Sequence, residues 1–502
     1  MNRISLCVIA KDEAELLPRM LASVNGVVDE MVIVDTGSSD ETIQIARRAG
    51  AKVLEHPFAD DFSEVRNVSL AAATGDWILV LDADEVLAPG SGERIRRAVQ
   101  DPRLGGFYLN FHNHLGEGRV HACGMMRLFR NHPDVRFRYF IHEQVLPDLV
   151  KHCRATSLRL GPLDDVIVDH DGYVPTMYAA REKDKRNERL FRRQVEAYPD
   201  HAYSWYKFGD FLRRFDDRHA DARRALARAV DLVEDSTDAD RRDYSFGPEV
   251  YALLALETEH DAETTDALAI AERGLARAGP APNLLYVLAY LLGRADRPAE
   301  AFRVWAQLRT YEGKLLPIPP EPGVLGAKAF CGMGMSLARI GRSVAAARCL
   351  EHAIKRDPEL VDARVARARI HLDAREVTDA IHQYRAALAT DATRHDVSQR
   401  LAVALGHVNR YDEALLELEK ARANGADEET LAPRIGELRF ASGDLEGAFK
   451  AFLGAPGNSE ACAGAEYLAA IAQGRPAPVD SPLTNRLLHH ARQLGLPIPT
   501  TA

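Results

Sequence analysis

Trp77-Ile78-Leu79-Val80-Leu81-Asp82-Ala83-Asp84 runs from five apolar residues straight into two carboxylates. A short, continuous apolar run closed by charge reads as a strand buried on both faces, its carboxylates leaving the C-terminal end. The same grammar recurs upstream: Ile4 to Ala10 reads as a first strand, Glu30 to Val34 as a second ending in Asp35, and Lys52 to Glu55 as a third. Helical stretches separate them. Ser39 or Asp40 can cap one that runs toward Ala49, and Ser63 to Ala73 forms another, stopped at Gly75. This alternation, from Ile4 to about Tyr173, predicts an α/β domain built on a doubly wound, mostly parallel sheet. In such sheets ligands collect beyond the C-terminal strand ends, where helix N-termini present free N–H groups. Asp35 and Asp82 both fall at that edge.

Past about Val195 the strand signal stops, and Ala, Leu, Arg and Glu recur at helical spacing. Ala346, Ala380, Ala414 and Ala448 lie at equal steps of 34 (346+34=380, 380+34=414, 414+34=448), which marks stacked helix-turn-helix units. This stretch, best from Phe330 to Phe452, resembles the tetratricopeptide repeat family, in which a small residue marks the close crossing of two helices. Trp205 to Gly209 with Ala222, and Pro298 to Ala301, look like degenerate earlier units, and the proline-rich Pro317 to Pro322 breaks the array. The expected organisation is 1–190 for the α/β domain, 195–316 for degenerate helical repeats and 323–502 for an all-α tetratricopeptide-like solenoid.

At 502 residues the chain exceeds one ordinary core, and 46% hydrophobic with 27% charged residues is a globular profile. A formal net charge of -10 leaves no basic footprint, so nucleic acid is not an expected partner. Cys7, Cys123, Cys153, Cys331, Cys349 and Cys462 form no CxxC pair, which fits a reducing compartment. The N-terminal apolar stretch is too short for a signal peptide, and no run reaches the length of a membrane span, so the expected location is the cytoplasm.

Two carboxylates at i and i+2 leaving a strand end can converge on one divalent cation, and oxygen ligands suit Mg or Mn. The triplet alone says little, since Asp169-His170-Asp171 and Asp238-Ala239-Asp240 also occur. Its context says more: Ile33 to Thr42, then Arg66-Asn67, then Thr74-Gly75-Asp76-Trp77, then Leu81 to Glu85. In this order the motifs resemble the family 2 glycosyltransferases of GT-A fold, Rossmann-like in architecture, over about the first 175 residues. The resemblance implies that Asp35 contacts the base or ribose of a nucleotide sugar, UDP-linked, and that Asp82 and Asp84 hold the metal bridging its diphosphate. Lys11-Asp12-Glu13 stands where that family commonly has Lys-Asn-Glu, so Lys11 and Glu13 join the nucleotide-sugar set, while Asp12 lacks the amide donor of Asn. Arg66 is the natural second positive group for the departing diphosphate, or else a salt bridge on a helix face.

Met126 to Arg130, Phe140-Ile141-His142-Glu143-Gln144 and Val168 to Tyr173 resemble the rest of that catalytic domain. They match best the branch in which it precedes tetratricopeptide repeats, a branch that includes bacterial peptide S-glycosyltransferases. That resemblance implies an inverting, metal-dependent transfer to a protein or peptide acceptor chosen by the repeats. A glycan or lipid acceptor, or a catalytically inactive repeat scaffold, are the alternatives. Inverting transfer needs a base for the acceptor proton, and a further ligand often completes the metal shell. Glu143 is the candidate base, His170 the third metal ligand, and His142 stands second for either role; Arg127 pairs with a phosphate or caps a strand. For His142 and His170 the plain alternative is a core histidine satisfied by its neighbours. Lys183, Lys185, Arg186 and Arg189 read as a solvated helix face. Repeats of this kind would also allow a homo-oligomer.

Overall fold

The computed structural model describes residues 2–114, 120–170, 181–236, 246–261, 264–314, 316, 318, 320–475 and 481–496. Asp171 to Tyr173, Asp238 to Asp240, Pro317 and Pro319, all used above, lie outside them. The chain forms two compact units: Met1–Arg297 with Gln307–Leu325, and Pro298–Ala306 with Gly326–Ala502. Most of the expected 195–316 segment therefore shares a unit with the sheet.

In the first unit, β1 (Ile4–Ala10), β2 (Glu30–Asp35), β3 (Lys52–Glu55) and β4 (Trp77–Val80) are the four strands that the apolar runs predict, and they run parallel in the order β3-β2-β1-β4. The sheet continues through β7 (Val120–Arg130), β6 (Leu104–His114), β8 (Arg159–His170) and β5 (Glu85–Leu87). There β7 is antiparallel to β4 and β6, β8 is parallel to β6, and β5 is antiparallel to β8. Four of the seven pairings are parallel, so the sheet is mostly parallel, as the apolar runs predict, with antiparallel pairings added by β5 and β7. No continuous apolar run announces β6, because Asn110, His112 and His114 alternate with its buried residues.

Side-chain alternation along the strands builds an apolar layer on each face. Ile4, Leu6 and Val8 pack with Leu17, Met20 and Leu21 of α1 (Leu17–Ser23), Ala46 of α2 (Thr42–Arg48) and Ile95 of α4 (Ser91–Ala98). Cys7, Ile78 and Val80 pack with Leu70 of α3 (Phe62–Ala72) and Leu149 and Cys153 of α5 (Leu146–Thr156). Helices α6 (Arg181–Ala197), α7 (Ala202–Leu212) and α8 (His219–Asp235) follow. Their Leu190, Phe191, Val195, Phe208 and Phe211 share a core with Ile141, Phe140, Phe58 and Phe62 of the α/β part. None of the six cysteines is in a disulfide, and no helix among the described residues is long and apolar enough to cross a membrane.

In the second unit helices pack in successive pairs, among them Ala329–Arg339 with Ser343–Arg356 and Glu428–Ala441 with Leu445–Leu453. Ala346, Ala380, Ala414 and Ala448 are all fully buried. A second small series, Gly334, Ala368, Ala402 and Gly436, also steps by 34, and so does a large one, Leu350, Tyr384, Leu418 and Phe452. The small and large series meet. A Cβ on Gly334 would stand 2.7 Å from Leu350 Cγ and 3.2 Å from the Ala346 carbonyl, and one on Gly436 would strike the Phe452 ring.

Candidate active site

Adjacent parallel strands bring the first two loops together, since Ala10 pairs with Asp35. Asp35 is 2% exposed, and one carboxylate oxygen accepts from the N–H groups of Gly37 (2.9 Å) and Ser38 (3.0 Å) while the other takes the Ser38 hydroxyl. Gly37 has φ +108°, a turn that favours glycine. Asp12 has φ +54°, which Asp and Asn tolerate better than other side chains, and its Oδ1 accepts from Ser39 N (2.7 Å) and Ser39 Oγ (3.0 Å). What the position needs is an acceptor, so the absent amide donor of Asn is not missed. Asp40 accepts from Thr42 N at 2.9 Å at the start of α2, whereas Ser39 is turned to Asp12. Lys11 is exposed. Glu13 is half-buried, and its carboxyl is pushed up to about 7, first by burial and then by Asp84 and Asp82, against the pull of Lys183.

Where β4 ends, Asp82 meets two arginines. Arg66 of α3 is 6% exposed; its Nη2 donates to Asp82 Oδ1 at 2.9 Å and its Nε to Glu143 Oε1. Arg127 of β7 donates from Nη2 to Asp82 Oδ2 (3.2 Å) and Glu85 Oε1 (2.6 Å). Arg66 Nη1 and Arg127 Nε are buried without a hydrogen-bond partner among the described residues. Glu85 also takes the Asp82 backbone N–H at 2.8 Å. Burial raises the Asp82 carboxyl, but the two guanidinium charges overcome it and hold it well below the usual range. For Glu85, 2% exposed, burial wins: its carboxyl is pushed up to about 7, with Arg127 pulling down and Asp82 pushing up.

Asp84 faces the other way, toward β8, where His170 Nε2 lies 3.3 Å from its Oδ2. His170 Nδ1 is 2.8 Å from Asn113 Oδ1, and the neighbouring Asn113 Nδ2 donates to the His121 carbonyl at 3.0 Å. A carbonyl only accepts, so the Asn113 amide orientation is set, Oδ1 accepts, and His170 carries its proton on Nδ1. A histidine that binds a metal is oriented in this way, by a hydrogen bond at the nitrogen that does not ligate, and here Nε2 is turned to Asp84. Two ligands about 2.1 Å from one cation at right angles stand about 3 Å apart, so the Asp84–His170 spacing fits neighbouring positions on a Mg or Mn ion. Burial disfavours the His170 cation, but Asp84, by hydrogen bond and charge, then Glu85 and Asp82, raise its pKa. Carboxyl groups of Asp82, Asp84, Glu85, Glu143 and Glu13 outnumber Arg66 and Arg127 here, and a divalent cation would offset part of that excess.

The sequence places Asp82, Asp84 and His170 on one metal; the structure brings together Asp84 and His170 and gives both Asp82 oxygens to Arg66 and Arg127. Among the described residues, the grouping of three ligand atoms within 4.8 Å of one another is instead His371, Glu376 and Asp379. There His371 Nε2 faces Arg367 Nε at 3.3 Å, a poor place for a cation. Arg66 and Arg127 are both committed to carboxylates. Glu143 lies at the same crossing through Arg66, and His142, φ +51°, follows Ile141 on the same loop. His142 is exposed, with the Phe191 ring at 5.5 Å between centroids. The protein packed against one side of the ring, then Lys207 and Arg214, push its pKa down. Sequence reasoning missed Glu85 and Asn113. Glu85 follows the triplet directly, a signal that was there to read, but nothing in the spacing announces Asn113.

Residues 5–160 match the family model described as glycosyl transferase family 2. A TPR repeat-containing protein of Synechococcus elongatus is 40% identical over 213 residues, 42% of this chain and 53% of that protein. The SPbeta prophage-derived glycosyltransferase SunS of Bacillus subtilis is 24% identical over 216 residues, 42% of this chain and 50% of that one. The chain thus spans about half the length of these relatives. Among solved structures, a tetratricopeptide repeat protein from Parabacteroides merdae aligns with TM-score 0.39 at 12% identity, over 60% of this chain and 98% of that one.

Proposed function

We propose that this chain, whose N-terminal domain is a family 2 glycosyltransferase domain followed by tetratricopeptide-like repeats, moves a sugar from a UDP-sugar to a protein or peptide acceptor with inversion. The observation that carries the reading is the Asp84–His170 pair, 3.3 Å apart, backed by Asn113 and set beside the Arg-clamped Asp82. In this reading Asp84 and His170 hold a divalent cation. Bound there, the ion supplies Lewis-acid neutralisation of the departing nucleotide diphosphate.

The residues do the rest. The loops held by Asp35 and Asp12 shape the nucleotide end of the crevice, and Lys11 and Glu13 flank it. Arg66 and Arg127 keep Asp82 ionised and oriented. Arg66 also fixes Glu143, which takes the acceptor proton as the nucleophile attacks the anomeric carbon opposite the leaving group. His142 is the second acceptor for that proton. The repeats raise the local concentration of the acceptor, in the way solenoid surfaces bind peptides.

The test is hydrolysis of UDP-, GDP- and dTDP-sugars with and without Mn, alongside Asp84→Ala. The expected result is Mn-dependent UDP-sugar hydrolysis that falls to less than about a tenth in Asp84→Ala, since Lewis-acid stabilisation is worth several kcal/mol. Equal rates with and without metal would sink the reading.

A further inference from the structure

Gln194 sits in α6, far along the chain from the triplet and from Glu143, and is fully buried. Its Oε1 accepts the backbone N–H of Ile141 at 2.9 Å, and its Nε2 donates to Ser204 Oγ at 2.9 Å. Ser204, also fully buried, lies 2.7 Å from His201 Nδ1. The bond order follows from the one donor that cannot change. Ile141 N–H must donate, so Gln194 presents its carbonyl there and its amide to Ser204, leaving the Ser204 hydroxyl to donate to His201. Burial pushes His201 down to about 4, so it is neutral and able to accept.

The same junction holds the loop in two more places. The His201 ring stacks on Tyr139 at 3.9 Å and 15°, and Tyr198 meets Tyr139 edge-on at 5.2 Å. Tyr139 and His142 have φ of +79° and +51°, conformations that non-glycine residues keep only when their surroundings impose them. From the α/β side the loop is tied by Phe62 N to the Phe140 carbonyl (3.0 Å), by Asn67 to Phe137 and by Arg66 to Glu143. At Ile141, directly before His142 and Glu143, the tie is Gln194.

We infer that Gln194 is a positioning residue for the reaction: through Ile141 it sets the backbone that aims His142 and Glu143, which makes α6 and α7 part of the catalytic machinery. This rests on the reading of Glu143 or His142 as the base. Gln194→Leu removes both hydrogen bonds at nearly constant volume. In Gln194→Glu the protonated carboxyl can restore both, accepting from Ile141 and donating to Ser204, whereas the ionised form cannot donate and is costly to bury.

The experiment uses the full chain, with UDP-sugar hydrolysis, UDP binding by calorimetry and hydrogen exchange of the 137–145 segment. Gln194→Leu should lower kcat at least tenfold with UDP affinity and KM within twofold of wild type, and should speed exchange at Ile141 at least tenfold. Gln194→Glu should recover activity toward pH 6 and lose it toward pH 8, relative to wild type at each pH. Wild-type kcat in a folded Gln194→Leu chain, or unchanged exchange at Ile141, overturns the inference. If Gln194→Leu does not fold, a Gln194→Glu/wild-type activity ratio that is flat with pH overturns it. If wild-type chain hydrolyses no nucleotide sugar, the functional reading is what has failed, and the exchange rate alone then decides whether Gln194 holds the loop.

Discussion

Arg127→Met is the sharpest perturbation of the site, because it keeps the apolar stem of the side chain and removes the cation that Glu85 and Asp82 share. Glu85 is 2% exposed and bonded to Arg127 at 2.6 Å, so the substitution leaves a buried carboxyl with the Asp82 N–H and the nearby His170 to hold it. Breaking a buried pair from one side costs about 3–5 kcal/mol. Part of that cost depends on pH. The Glu85 carboxyl rises from 4.5 to about 7 on folding. A carboxyl raised on folding destabilises the native state as pH climbs from its unfolded to its folded value, and the loss levels off above the folded value. In wild type the loss therefore ends near pH 7; without Arg127 the folded value moves higher and the loss continues, by roughly 1 kcal/mol between pH 7 and 8. Asp82 keeps Arg66 and stays ionised throughout, so it adds no slope. Urea unfolding would be followed at Trp77, buried in β4, with Trp205 and Trp305 replaced by Phe. Arg127→Met should lose about 3 kcal/mol or more at pH 8 and distinctly less at pH 6, and adding Glu85→Gln should recover much of the loss and flatten its pH dependence. A cost under about 1 kcal/mol at pH 8, or the same cost at both pH values, would refute the reasoning.

Asn113→Leu should weaken Mn binding about 10- to 100-fold by releasing the His170 ring while leaving Asp84 and His170 in place; unchanged affinity in a titration followed by the Mn spin signal would remove Asn113 from the site. Asp12→Asn retains the acceptor for Ser39 and tolerates the left-handed backbone, so stability should stay within about 0.5 kcal/mol and UDP affinity should not fall. A loss of UDP affinity would mean that the charge, and not the geometry, is what the position supplies. Gly334→Ala adds a methyl against Leu350 and the Ala346 carbonyl; overpacking of about 1–3 kcal/mol should exceed the helix-propensity gain of about 1 kcal/mol, and a raised melting temperature would contradict the packing.

β1, β2 and β4 could be read in advance because each is largely buried and so appears as an apolar run, closed by a carboxylate in β2 and after β4, whereas β3 at the sheet edge shows only Val53 and Leu54. The repeats could be read because a packing solution used again and again leaves a period. β6 and β8 were hidden by their polar faces, and the clamp on Asp82 was hidden for another reason. Arg66, Asp82, Arg127 and Glu143 come from separate elements, and no local spacing says that two guanidinium groups will take the carboxylate assigned to a metal. Asn113 and Gln194 are invisible for the same cause: each acts through long-range hydrogen bonds, Asn113 to His170 and Gln194 to Ile141 N–H and Ser204, that no local spacing announces.

The pairing of small and large residues in the second unit has a consequence for how such a chain varies through descent. Each contact joins a residue to one 16 positions further on, as Gly334 to Leu350 or Gly436 to Phe452, and the whole pattern returns after 34. A genetic duplication or loss of one full period splices small onto small and large onto large, so the new junction inherits a packing already solved. A gain or loss that is not a whole number of periods breaks the match of small to large. The number of repeats can therefore change while the crevice around Asp84 and His170 stays as it is, and under the proposed function acceptor choice and bond chemistry would then vary separately.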